Sequence, residues 1–214
     1  MSEKHSEHGG SDRSGPAERI PAPERREQIL AAASLVFGER GYSGATTDQV
    51  AQAAGISQPY VVRMFGSKEN LFVEVLDRAL DKLTVAFRTA IAASVEAGEQ
   101  PEERGARMGA AYADLITDRG ILLSLMQSFS MGHDPVIGRV ARRGFQSIYE
   151  LLREEAGIDA QATVDFLAHG MLFNTLIALR MTDEFGQDGA VTELLTCAFR
   201  SKLDTVLGAV RAEA

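Results

Sequence analysis

The stretch Ser57-Gln58-Pro59-Tyr60-Val61-Val62-Arg63 sets a hydroxyl, a carboxamide, a phenol and a guanidinium close together on the chain. None of these stands as a nucleophile beside a base. They are donors and acceptors suited to recognition: a carboxamide pairs with adenine through two hydrogen bonds, and a guanidinium grips phosphate or guanine. Bond-making chemistry is thin elsewhere. The single cysteine, Cys197, lies in an apolar helical pattern, the serines lack a nucleophile elbow, and the histidines are scattered apart from His5 and His8 near the start. No glycine-rich phosphate loop, zinc-ligand spacing or facing pair of carboxylates is present. No catalytic residue, metal ligand or cofactor is therefore expected, and the chain does not read as an enzyme.

The recognition residues need a scaffold that holds them outward. Thr46 and Thr47 are N-cap residues for a short helix ending near Ala54, Gly55 supplies a turn, and Ser57 is placed to cap a second short helix. Pro59 is tolerated there, because the first helical turn needs no N–H donors. Ala51 is the small residue at the crossing, and Val50, Ala54, Ile56, Val61 and Met64 are the apolar anchors. Gln58, Pro59, Tyr60, Val62 and Arg63 are then left on the outer side of the second helix. This is the pattern of a helix-turn-helix, in which the first turns of the second helix reach base edges in the major groove.

Flanking segments extend the pattern. Residues 24–40 place Ile29, Leu30, Ala33, Val36 and Phe37 on one helical face, with Gly41 as the stop. Ser67 is placed to cap a long helix from Lys68 to about Ala97. Residues 24–72 resemble the DNA-binding domain of the tetracycline-repressor (TetR) family of bacterial transcriptional regulators. The matching features are the first helix ending in Phe37 and Gly41-Tyr42, then T-T-x-x-V-A-x-x-A-G-I-S over 46–57 and F-G-S-K-E-N-L-F over 65–72. One departure stands out. The family has a tyrosine late in the recognition helix, two residues before an aromatic or histidine, where this chain has Val62 and Met64, with Tyr60 half a turn earlier.

The DNA-contacting set expected on these grounds is Thr47, Ser57, Gln58, Pro59, Tyr60, Arg63 and Lys68. Gln58 reads adenine, Pro59 and Tyr60 meet thymine methyls with the Tyr60 hydroxyl also in reach of phosphate, Arg63 clamps phosphate or reads guanine, and Thr47 holds phosphate. Lys68 resembles the family's phosphate-binding lysine at a helix N-terminus. Arg25 and Arg26 add positive charge nearby.

The rest of the chain also reads as helix, at about 101–118, 120–131, 135–156, 160–184 and 190–211. The whole is all-α, with about nine helices. The expected organisation is a disordered tail over 1–23, a helix-turn-helix domain over 24–70, and a helical effector-binding and dimerisation domain over 71–214. Segment 160–184 carries Leu167, Met171, Asn174, Ala178 and Met181 on one face, and 190–211 is apolar on a wide face. With the resemblance included, both fit a four-helix bundle shared by two subunits of a homodimer. The resemblance further implies an effector pocket among the middle helices, drawing on Met108, Tyr112, Met126, Phe129, Phe145 and Tyr149, with His169 and Asn174 as polar groups.

Composition sets outer bounds. Hydrophobic content is 45% and charged content 24%, ordinary values for a folded chain. The net charge of −8 falls mostly after residue 70, where 14 basic groups face 21 acidic ones, while residues 24–70 balance at five and five. A local basic face on the first domain is therefore compatible with the acidic whole. No apolar run is long enough to span a bilayer and no signal-peptide core opens the chain, so no membrane partner and a cytoplasmic location are expected. Taken together the expected function is a ligand-responsive bacterial transcriptional regulator, in the main a repressor. It binds a palindromic DNA operator as a homodimer and is released by a small, largely apolar effector. The competing expectation is a small-molecule-binding or scaffolding helical dimer whose DNA-binding module has decayed.

Overall fold

The structure is a computed structural model and describes residues 20–115 and 118–212. All but the last four residues of the expected tail lie outside that range. The described residues form helices α1 (Ala22–Gly44), α2 (Thr47–Ala53), α3 (Gln58–Phe65), α4 (Lys68–Glu96) and α5 (Pro101–Leu115). They continue as α6 (Arg119–Ser130), α7 (Ile137–Glu150), α8 (Ala160–Ala178), α9 (Gly189–Phe199) and α10 (Leu203–Ala212). The chain is all-α.

Local chemistry explains most boundaries. Gly41 adopts φ 71° and breaks α1 where the stop was expected, leaving one further turn beyond it. Thr46, not Thr47, caps α2: its hydroxyl accepts from the Gln49 backbone N–H at 3.2 Å, and the Gln49 side chain accepts from the Thr46 N–H at 3.0 Å. This reciprocal capping box satisfies two otherwise orphaned donors. Ser57 occupies the N-cap position of α3 but forms no capping hydrogen bond there, which corrects the expected role of its side chain. Pro59 in the first turn removes one donor that would otherwise need a partner. Ser67 does cap α4, accepting from the Asn70 N–H at 3.0 Å. Asp134 accepts from the N–H groups of Val136 and Ile137 at 2.9 and 2.8 Å and so caps the turn ahead of α7, whose regular helix begins only at Ile137, two residues after the expected start.

Two expected helices are interrupted. The 160–184 segment stops at Ala178, and Arg180 takes a left-handed φ of 58° before a single 3₁₀ turn. The 190–211 segment is split by Arg200, with φ 49° and ψ −123°, into α9 and α10. Neither residue is a glycine, so periodicity alone carries no sign of these breaks.

Two apolar clusters make up the interior, and α4 runs through both. At its start Leu71, Phe72, Val75, Leu76 and Ala79 pack with Ile29, Phe37, Val50 and Val61 from the first three helices. Ile121 and Leu125 of α6 and Ile137 and Val140 of α7 belong to this same cluster. Further along, Leu83, Phe87, Ala90 and Ile91 join the cluster formed with α5, α8, α9 and α10. At 1.5 Å per residue α4 is about 43 Å long. It is a beam shared by both clusters.

The face of α8 assigned to a partner subunit needs correcting. Leu167, Met171 and Asn174 point into the subunit's own cavity, and Met181 packs on the core. Leu195, Ala198, Phe199, Val206 and Leu207 are likewise buried in the single subunit. The outward stripe on α8 is instead Val164, Ala168, Leu172 and Leu179, with Leu194 exposed on α9. Because α8 is apolar nearly all the way round, its sequence could not decide which side faced inward.

Candidate nucleic-acid interface and ligand cavity

Helix α3 is held at its inner edge by Val61 and Phe65, both buried. Phe65 escaped the expected anchor set because it sits inside the motif leading to the next helix. Ala54, Ile56 and Met64 are only partly buried. Ala51, 2% exposed, allows α2 and α3 to cross closely, and Gly55 turns the chain at φ 65°. The Ile56 N–H donates to the Ala51 carbonyl at 3.0 Å and pins the turn.

The outer edge of α3 is organised by side-chain contacts. Gln58 Nε2 donates to Thr47 Oγ1 at 3.2 Å, linking the start of α3 to the start of α2. The Arg63 guanidinium lies 4.8 Å from the centre of the Tyr60 ring, one turn back. Such stacking restrains a long, flexible side chain and leaves its N–H groups directed outward. Pro59, Val62 and Arg63 are exposed, while Gln58, Tyr60 and Thr47 are half-buried. Thr47, Gln58, Tyr60 and Arg63 are thus brought into two linked pairs on one surface, and Ser57 stands exposed beside them.

The other expected cations are engaged within the domain. Lys68 Nζ donates to the carbonyls of Tyr42 at 2.9 Å and Ala45 at 3.2 Å, and lies 4.6 Å from the Tyr42 ring centre. It therefore fastens the end of α1 to the start of α4, using acceptors that a helix terminus leaves unsatisfied. Arg26 pairs with Glu74 and packs over the Phe65 ring at 4.7 Å, so its charge is neutralised within the fold. Arg25 donates to Gln28 at 3.2 Å. Sequence position could not reveal these pairings, because each partner lies on a different helix or a full turn away.

The residues expected to form an effector pocket separate into several places. A narrow cavity of about 70 Å³ lies between α4, α7 and α8, with α6 at one end. Tyr112, Phe129, Phe145 and Asn174 line it, together with Leu83, Phe87 and Met171. Met108 does not: it is fully buried in the core. Met126 is packed against that core, and Tyr149 faces a shallow outer groove beyond Phe129 and Phe145. His169 lines a different cleft, and its Nε2–H donates to the Ala198 carbonyl at 3.1 Å. The residues missed were the leucines of α4, whose i, i+4, i+7 spacing is that of any core helix. Among the described residues no group of three or more His, Cys, Asp or Glu could hold a metal ion, and no helix is long and apolar enough to cross a membrane.

The polar element in the cavity is the Tyr112 hydroxyl, which donates to Asn174 Oδ1 at 2.6 Å. Burial pushes the Tyr112 phenol up to about 12. A folded pKa above the unfolded value of 10 means that the phenol costs nothing below pH 10. Its ionisation then favours the unfolded chain as pH rises to about 12. Between those limits the wild-type protein should lose on the order of 2–3 kcal/mol relative to Tyr112→Phe. Urea unfolding of both proteins across this pH range checks it: an unchanged gap between the two curves contradicts the burial of the phenol.

A short crossed helix pair with an outward polar face, mounted on a helical bundle, defines a helix-turn-helix module. Residues 29–75 match the family of bacterial regulatory proteins, tetR family. The HTH-type transcriptional activator FasR of Mycolicibacterium smegmatis is 44% identical over 82 residues, 38% of this chain and 36% of that one. The HTH-type transcriptional regulator BetI of Rhizobium meliloti is 34% identical over 82 residues, again 38% of this chain and 38% of the other. The matches thus span little more than a third of either relative. The fold continues further than the sequence likeness. A TetR-like transcriptional regulator from Rhodococcus sp. RHA1 superposes with a TM-score of 0.59 at 23% identity, over 86% of this chain and 98% of that structure. The match to the tetR family lies in residues 29–75, and beyond them the likeness to known regulators is one of fold.

Proposed function

We propose that this protein is a ligand-responsive transcriptional regulator that binds a palindromic DNA operator as a homodimer, acts as a repressor in the cytoplasm, and is released by a small, largely apolar effector. The observation that carries the reading is the pre-ordered outer face of α3, with Gln58 tethered to Thr47 and Arg63 stacked on Tyr60. Side chains restrained before binding lose less conformational entropy on contact. Gln58 keeps its carbonyl and a second N–H for an adenine edge, Pro59 and Tyr60 meet thymine methyls, and Arg63 and the exposed Ser57 hold phosphate. Two of the Lys68 protons are engaged, leaving one for phosphate beside the N-terminus of α4.

The outward stripe of α8, with Leu194 of α9, gives the second subunit its contact surface. Release by ligand follows from the narrowness of the inner cavity. A cavity of roughly 150 Å³ is needed for a benzene-sized guest, and about 70 Å³ is available here. An effector must therefore spread α4 from α7 and α8, and α4 begins directly beneath the helix-turn-helix. Displacing that beam changes the separation of the two recognition helices. A ligand that prefers the spread state about 100-fold supplies roughly 2.7 kcal/mol of coupling.

Selection of bound fragments from a random DNA pool with the full chain tests the reading. The expected motif is palindromic, with half-sites about one helical turn apart. Gln58→Ala should relax one position per half-site by about 1–3 kcal/mol. Arg63→Ala should weaken all sites evenly and make the salt slope shallower by about one for each phosphate no longer neutralised. Fragments recovered with no preference, and affinity unmoved by Gln58→Ala, would instead favour a helical ligand-binding or scaffolding dimer.

A further inference from the structure

A larger space than the inner cavity lies elsewhere among the described residues. A cleft of about 450 Å³ lies between α5, α8 and the α9–α10 junction. One wall is nearly bare of side chains, because Gly105, Ala106, Gly109 and Ala110 of α5 face it. The opposite wall carries the rings of Phe166 and Phe173. Phe166 approaches α5 closely at Gly109, where a Cβ would lie 3.8 Å from its ring, so a flat apolar body fits along the bare wall beside the ring and not between the two.

The mouth of the cleft is polar and its charges are unequally engaged. Lys202 Nζ is paired with Asp114 at 3.0 and 3.1 Å, and Asp165 accepts from Gln161 at 3.1 Å. Arg200 lines the same mouth, is exposed, and makes no hydrogen bond or ion pair within the described residues. Its backbone, at φ 49° and ψ −123°, lies where side chains are disfavoured, and this strained break brings Arg200, Ser201 and Lys202 together at the rim. A glycine would hold that conformation with less strain, yet an arginine stands there.

We infer that this cleft is a ligand site in its own right, taking a small organic anion whose flat apolar body lies along the bare face of α5 beside Phe166 and whose anionic group is held by Arg200. The site touches the inner cavity through a shared partition, since Tyr112, Phe166 and Gly170 line both spaces. Occupancy of the cleft can therefore reach the Tyr112–Asn174 bond without the ligand entering the inner cavity. That consequence for DNA rests on the proposed regulatory function; binding in the cleft does not.

Two dyes separate the contributions of body and charge. Anilinonaphthalene sulfonate has a flat apolar body with an anionic group, and phenylnaphthylamine is the same ring system without the sulfonate. Fluorescence titration of the full chain should show that Arg200→Gly, which keeps the backbone break, weakens the sulfonate dye about tenfold and leaves the neutral dye unchanged. Arg200→Lys should restore part of the loss. Gly109→Leu should displace both dyes: a Cβ there already meets Phe166 at 3.8 Å, so the longer side chain has to extend into the cleft, and circular dichroism checks that the fold is retained. Equal binding of the sulfonate dye by Arg200→Gly and wild type overturns the inference. So does displacement by Ser128→Leu, which fills the inner cavity, without displacement by Gly109→Leu. Neither result bears on DNA selection, which stands or falls separately.

Discussion

Leu172→Arg is expected to yield a folded monomer whose affinity for a palindromic operator is lower by at least about 100-fold. Leu172 lies mid-stripe on α8 and is 38% exposed, between Ala168 and Leu179. In the proposed homodimer each copy of this face would meet its equivalent, so one substitution would place two guanidinium groups together in a desolvated interface. The subunit's own core is untouched, because the neighbouring Phe173 and Leu176 face the other way and remain buried. The effect on DNA binding is larger than that of removing a single side chain from the protein–DNA surface. Joining two recognition helices makes the second half-site encounter intramolecular, and linkage of this kind raises affinity by roughly 10²–10⁴. Sedimentation equilibrium and operator titration on the same sample check both parts. A variant that stays dimeric, or a monomer that binds the full operator as tightly as wild type, contradicts the paired reading.

The second large effect is on stability. Phe72→Ala should destabilise the protein by about 3–5 kcal/mol, the range for deleting a fully buried ring. Phe72 is inaccessible to solvent and sits edge-on to Phe37 at 4.8 Å and tilted to Tyr42 at 5.1 Å. These three rings, with Lys68 over Tyr42, join the end of α1 to the start of α4. The substitution therefore loosens the seat of the helix-turn-helix as well as the core. Val62→Ala, on the exposed side of α3, should change stability by less than about 0.5 kcal/mol. Equilibrium urea unfolding measures both. A change below about 1 kcal/mol for Phe72→Ala would mean that the cluster repacks and does not fix α4.

Much of the helix-turn-helix was legible because its signals are local. Thr46, Gly55, Pro59 and Gly66-Ser67 act through backbone geometry and capping within a few residues, so their spacing already describes short helices and tight turns. What those helices present was legible only in part. Gln58 and Arg63 were identifiable as outward, but their restraint by Thr47 and Tyr60 depends on the angle at which α2 and α3 cross. Lys68 shows the limit more sharply. Its place at a helix start marks a phosphate ligand, whereas its reach across to Tyr42 and Ala45 makes it a fastening within the domain.

In the remaining two thirds the sequence by itself determined the helical class and most helix ends, through period, caps and glycines. Only the tertiary structure decided which side of α8 turns inward, that α4 serves two cores, and that the expected pocket residues divide between a narrow cavity, a core, a shallow outer groove and a separate cleft. The breaks at Arg180 and Arg200 belong to the same group. The physical reason is that hydrophobic burial is non-directional. An apolar residue at helical spacing must be covered, but what covers it depends on helices far away along the chain.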